Sequence, residues 1–174
     1  WGENADDEEY SVLVTDASKT AATGTTLRLT PTTGKLPSGT KDSQHFTFKK
    51  SDTVTIAADG SSVLNVYYTR KQYTLTFQTK TSSGWWDQTT TVVATITAKY
   101  NAKISDEFGK APFNTTYNGR AWECTESSKY DYALQTLDRM PGFDATFNLY
   151  NKSSNTKKTI YYYVQKVGTT VSEI

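Results

Sequence analysis

Few side chains in this sequence can do covalent or proton-transfer chemistry. Among 174 residues there is one His, His45, and one Cys, Cys124. A Ser-His-Asp system would have to use His45, which sits beside Phe46 in a short run of strand type, and the nucleophile elbow G-x-S-x-G is absent. His45 therefore reads as a strand or surface residue. Cys124 is flanked by Glu123 and Glu126. Carboxylates beside a thiol raise its pKa and oppose the nucleophilic thiolate, so a buried or half-buried structural Cys is expected. Two covalent alternatives stay open, a Cys124–Gln135 thioester and a Lys–Asn isopeptide bond. Intact mass tests both. One His and one Cys fall short of the four or so N/S ligands that zinc takes, and one Cys excludes an internal disulfide. Calcium loops of the D-x-D-x-D-G type are also absent. The acidic run Asp6-Asp7-Glu8-Glu9 is contiguous, whereas glycosidase carboxylates face each other across a cleft, so the run reads as solvated charge. No catalytic residue, metal or cofactor is expected, and the chain is read as a non-enzyme.

The candidate binding residues are Trp85 and Trp86. Adjacent side chains in a strand point to opposite faces, so only one of the two can enter a given core. An exposed Trp can stack on a sugar ring or anchor a protein partner. Packing of the pair on a neighbouring module is the competing reading.

The elements that must position these residues are strands. Thr numbers 31 and Ser 15, about a quarter of the chain, and 13% of residues are aromatic. Such residues fit a pleated, half-buried surface. High Thr with scarce Cys and Met also suits an exported protein of a Gram-positive surface, so an extracellular location is expected. The formal charge is 19 − 18 = +1. That gives no basic footprint for nucleic acid. No run of about 18 apolar residues exists to cross a membrane. The start at Trp1, without a charged-then-apolar leader, reads as a trimmed fragment.

Period-2 alternation marks strands at Tyr10–Thr15, Thr25–Thr30, His45–Lys49, Thr53–Ala57, Ser62–Arg70, Tyr73–Phe77, Thr91–Ala98, Asp144–Tyr150 and Thr159–Val167. Asp59-Gly60 predicts a turn joining the strands on either side. Ser82-Ser83-Gly84 marks the tip of a hairpin that starts at Tyr73. Ile104 and Phe108 fit one or two helical turns over Asn101–Phe108. A second helix capped by Ser128 and ended by Pro141-Gly142 is expected from Tyr130, Ala133, Leu134 and Leu137, with a 3₁₀ or irregular segment as its rival. Two Tyr-rich strands, Val66–Tyr68 and Tyr161–Val164, close similar halves. The chain therefore divides near Lys71-Gln72. The first 20 residues hold six acids against Lys19, and Lys152–Lys166 holds four Lys and no acid. That asymmetry could orient neighbouring modules head to tail.

The segment Ile56-Ala57-Ala58-Asp59-Gly60-Ser61-Ser62-Val63-Leu64-Asn65-Val66-Tyr67-Tyr68-Thr69-Arg70, leading into Tyr73–Phe77, resembles the repeats of bacterial surface adhesins, namely the mucin-binding repeats and internalin B-repeats. Trp1-Gly2-Glu3-Asn4 and Asp6–Tyr10 take part in the same resemblance. The second half is similar to the Listeria–Bacteroides repeat, with a Lys99-Tyr100-Asn101 turn, an aromatic-centred strand at Tyr117–Trp122, and Met140-Pro141 before Asp144–Tyr150. It departs from the usual Gly-Tyr-x-Phe-x-Gly-Trp in reading Tyr117-Asn118-Gly119-Arg120-Ala121-Trp122. The resemblance implies a mainly β fold of two tandem β-grasp-like modules, 1–71 and 72–174, with short helical or 3₁₀ segments. The first module would lack its opening strand, which would precede Trp1. The implied role is that of a stalk or adhesion module held on a cell wall through other regions. Its partners would be neighbouring repeats and, for a binding module, a host glycan or host protein centred on Trp85 and Trp86. An accessory domain of a large extracellular enzyme is a further alternative.

Overall fold

A computed structural model describes residues 1–82, 88–133 and 137–150. The protein is mainly β. Six strands precede Lys71: β1 (Gly2–Glu3), β2 (Tyr10–Ser11), β3 (Thr26–Arg28), β4 (Phe46–Ser51), β5 (Thr53–Thr55) and β6 (Val66–Arg70). Among the described residues five follow it: β7 (Gln72–Ser82), β8 (Gln88–Lys99), β9 (Ala121–Cys124), β10 (Tyr132–Ala133) and β11 (Ala145–Leu149). They form a sheet of order β2-β1-β6-β4, a sheet of order β10-β9-β11-β7-β8, and a β3-β5 ribbon. Among the described strands, every pairing joins partners on the same side of Lys71.

The two larger sheets share one connectivity. In each, an opening hairpin (β1-β2, β7-β8) lies beside a later strand that runs parallel to the hairpin's first strand (β6 along β1, β11 along β7). A further antiparallel strand follows (β4, β9). The opening strand placed before Trp1 on sequence grounds has a two-residue counterpart in β1. It is fixed by the Trp1 ammonium donating to Val66 O at 2.7 Å and by Tyr68 N–H donating to Trp1 O at 2.9 Å. In the second sheet the closing position belongs to β11. The Tyr-rich segment expected there, Tyr161–Val164, lies outside the described residues.

The core sits on one face of the second sheet. Leu75 and Phe77 of β7, Ile96 of β8, Trp122 and Cys124 of β9, and Ala145 and Phe147 of β11 alternate inward, as the period of a strand requires. A 3₁₀ turn at Ser105–Gly109 and the turns after it lay Ile104, Phe108 and Phe113 across that face. Phe77 is the hub. It stacks on Phe147 at 4.9 Å and meets Phe113 and Trp122 edge-on at 4.9 and 5.3 Å. The first sheet has a thinner core of Phe46 and Tyr68. Tyr68 donates its hydroxyl to Gly34 O at 2.7 Å. A Cβ on Gly34 would lie 2.6 Å from the Phe48 ring, so glycine is what lets this loop close on the sheet.

Several expectations need correction. Asp59-Gly60 does turn the chain, with Gly60 at φ 73, but it closes no hairpin: β5 pairs with β3, and β6 with β4 and β1. The helix expected from Ser128 is a single 3₁₀ turn, Ser128–Tyr130. Tyr132 and Ala133 then pair with Trp122 and Ala121 of β9, and sheet pairing overrides the weak helical spacing. The turn over Asn101–Phe108 shortens to the 3₁₀ segment Ser105–Gly109. The strand read over Tyr117–Trp122 starts only at Ala121, because Gly119 at φ 66 ends a run of turns.

Candidate functional site

One residue, Lys71, separates β6 from β7. Its N–H donates to His45 O and its carbonyl accepts from Tyr100 N–H, both at 2.8 Å. The connection is therefore held from both sides. Around it lies a cluster of charged and aromatic groups.

His45 ends a 3₁₀ turn, Ser43–His45, that feeds β4. Its ring stacks on Tyr100, with centroids 3.9 Å apart and planes at 24°. Nδ1 lies 2.9 Å from Tyr73 Oη, and Nε2 lies 3.1 Å from Gln44 Nε2. Both ring nitrogens are thus engaged. Burial, together with the Lys71 and Arg70 charges, outweighs Asp42 and lowers the His45 pKa. Burial first, and then the Asp42 carboxylate, push the Tyr100 phenol up. The Cβ that Gly142 lacks would clash with the His45 ring at Cε1 and Nε2, so glycine is what lets the two segments approach this closely.

Arg70 and Glu3 form the second part. Arg70 N–H donates to Glu3 Oε2 at 2.9 Å, and its Nε donates to Glu3 O at 2.7 Å. Its guanidinium reaches Tyr100 O at 3.3 Å and lies 4.9 Å from the Phe46 ring centroid. Glu3 is buried and paired with Lys99 at 2.7 Å. Burial alone would raise its pKa, but Lys99 and the Arg70 N–H win and hold the carboxyl below its ordinary value.

The acidic run forms the third part: its four residues are exposed, as solvated charge would be, and the run is also tied to the second sheet. Asp6 accepts from Lys103 N–H at 2.6 Å and pairs with Arg139. First the Lys103 N–H and then Arg139 lower its pKa. Lys99 Nζ donates to Asp7 O at 3.0 Å. The run bridges to the second sheet because it sits in the turn between β1 and β2.

Beside this cluster opens a cleft of about 760 Å³. His45, Tyr100 and Gly142 line one side, and Tyr130 and Phe143, edge to face at 5.4 Å, line another. Lys129 and Arg139 supply its cations. Asp138 also lines it and, with Asp6, pairs with Arg139, so the surface offers ring faces and mixed charge, while its one imidazole is held by packing and hydrogen bonds.

Trp85, Trp86 and Gln135 lie outside the described residues, so the structure leaves the binding pair and the thioester partner unplaced. Cys124 is a free thiol, buried in the core. Burial first, and then the Glu126 carboxylate, raise its pKa against the opposing backbone N–H groups of Glu126 and Ser127. Every described Lys is at least partly exposed, unlike the buried Lys of an isopeptide site. Among the described residues no three His, Cys, Asp or Glu side chains gather as metal ligands. Sequence reasoning missed Glu3, Arg70 and Tyr100. The available signal was position: Gln72 pairs with Lys99, so Tyr73 and Tyr100 fall at the open end of the β7-β8 hairpin, next to the Lys71 boundary.

No described helix is long and apolar enough to cross a membrane. Compared with known proteins, the chain matches no family model, no curated protein and no solved structure.

Proposed function

We propose that this chain is a non-catalytic piece of a bacterial cell-surface protein, built from two consecutive β-grasp-like repeats that divide at Lys71 and serve as a stalk or adhesion module. The recurrence of one strand connectivity on either side of a one-residue connection carries this reading. A duplicated unit explains why β1-β2-β6-β4 and β7-β8-β11-β9 repeat the same parallel and antiparallel relations. The contacts of Lys71, His45 and Arg70 with Tyr100, and of Glu3 with Lys99, then serve to hold one repeat at a fixed angle to the next. A stalk needs such stiff junctions, because a flexible joint lets the distal end fold back.

Two measurements test this. Native-state hydrogen exchange in increasing denaturant should resolve two cooperative units, residues 1–71 and 72–174. One unit spanning both would sink the repeat reading. Cell fractionation of the producing bacterium should place the protein in the wall fraction, and recovery in the cytosol would overturn the surface role. A screen against glycan arrays and serum proteins, with Trp85→Ala/Trp86→Ala as control, separates adhesion from a plain stalk.

A further inference from the structure

The β7-β8 hairpin runs past the body of its sheet. β11 pairs with β7 only over Leu75–Gln78, against Ala145–Asn148. Beyond that point Thr79–Ser82 and Gln88–Thr91 pair with each other, and no other described strand joins them. All of Gln88–Val92 is exposed, and Val92 retains 56% of its accessible surface. A two-stranded ribbon without a core beneath it is marginal in water, so an added strand would be stabilising.

The outer edge of β8 differs from the other edges. From Gln88 to Ala98 it reads Q-T-T-T-V-V-A-T-I-T-A, with no charge, Pro or Gly. Sheet edges are ordinarily blunted by charge, by proline or by shortness. β4 carries Lys49 and Lys50 with a register shift beside them, and β2 and β10 are two residues each. The β3-β5 ribbon is three residues wide and carries Arg28. Among the described edges only β8 is both long and uncharged over eleven residues. Its one irregularity is the register shift beside Val93, which leaves straight runs on either side.

We propose that the outer edge of β8 pairs antiparallel with β8 of a second copy of this chain about a twofold axis, joining two sheets into one. A symmetric contact places each strand opposite itself, so charged residues would risk like-charge opposition, whereas an uncharged run has none. Thr suits such a ladder. Thr74 and Thr97 already bridge their hydroxyls across β7 and β8 at 2.9 Å, and Thr26 and Thr55 do so at 3.1 Å. Thr89, Thr91 and Thr95 are exposed and carry the same hydroxyl. No charge along the run selects a partner of opposite sign. This inference does not rest on the repeat reading.

The test uses the full 174-residue chain. Light scattering over a concentration series should show the mass rising toward twice that of one chain. Amide protection of Gln88–Ala98 should rise in step. Thr91→Lys/Thr95→Lys should stay monomeric where the unmodified chain is dimeric, and mixing it with Thr91→Glu/Thr95→Glu should restore the dimer. A single-chain mass at every concentration overturns the proposal. So does protection that ignores concentration, since the edge is then covered within its own chain. A dimer that persists in both charged variants also overturns it.

Discussion

The His45 ring lies face to face with Tyr100, 3.9 Å between centroids, at the point where the chain passes from one sheet to the next. Its partly buried setting favours the neutral imidazole. The His45 pKa is lowered, first by burial and then by Lys71 and Arg70, against Asp42. A base whose folded pKa is depressed contributes stability that is complete above its ordinary value of about 6.5 and falls as pH drops below it, down to the folded pKa. Denaturant midpoints should therefore fall between pH 7 and 5. His45→Phe keeps a ring on Tyr100 and should flatten that slope. An unchanged slope in the variant would remove His45 as its source.

Glu3 and Asp6 titrate in a separate, lower window. Both carboxyls are held below their ordinary range, so their contribution is present above about pH 4.5 and is lost as pH falls through the folded values. Glu3 is the more valuable of the two because it is buried. Glu3→Ala leaves Arg70 N–H and Lys99 without their acceptor and should cost about 2–4 kcal/mol, with little dependence on salt. Asp6→Asn removes an exposed pair with Arg139, and its smaller effect should fade at high ionic strength. Urea titrations at low and high salt distinguish the two.

Gly142→Ala places a methyl group against the edge of the His45 ring, closer than contact allows, and should cost about 1–3 kcal/mol through overpacking. Combining it with His45→Ala should recover most of that loss, since the clash has a single partner. A double-mutant cycle measures the coupling. Simple additivity would show that the loss arises elsewhere.

Cys124 should react with a thiol reagent only as fast as the second sheet opens. It is buried and its thiol pKa is raised, so thiolate is scarce in the folded state. Labelling rates across denaturant should track unfolding of the second sheet. Fast labelling of the native chain would contradict the burial.

The strands were the legible part of the fold. Leu75 and Phe77 alternate with Thr74 and Thr76, and that pattern is enough to choose a face. Strand lengths were not legible. Ser62–Arg70 reads as one strand, yet only Val66–Arg70 pairs, because pairing needs a partner in register and not only a suitable residue type. The helix expected after Ser128 failed for a similar reason: β9 offered Tyr132 a ladder that three or four apolar residues at helical spacing could not match. The junction was hidden by separation along the chain. Glu3 meets Arg70 67 residues away, and Asp6 meets Arg139 133 residues away. No local pattern records such pairs. The acidic run was visible but its destination was not.

The parallel pairing of β7 with β11 has a mechanical consequence. Because the strands run the same way, the entrance of β7 and the exit of β11 lie at opposite ends of the pair. Tension drawn through those two points slides the strands past one another. The register bonds from Ala145–Leu75 to Asn148–Gln78 are then loaded together in shear, whereas an antiparallel hairpin pulled at its open end unzips one rung at a time. The same geometry lies between β1 and β6, where a single register pair, Gly2–Tyr68, makes it the weaker clasp. Under a steady pull the first sheet should yield before the second.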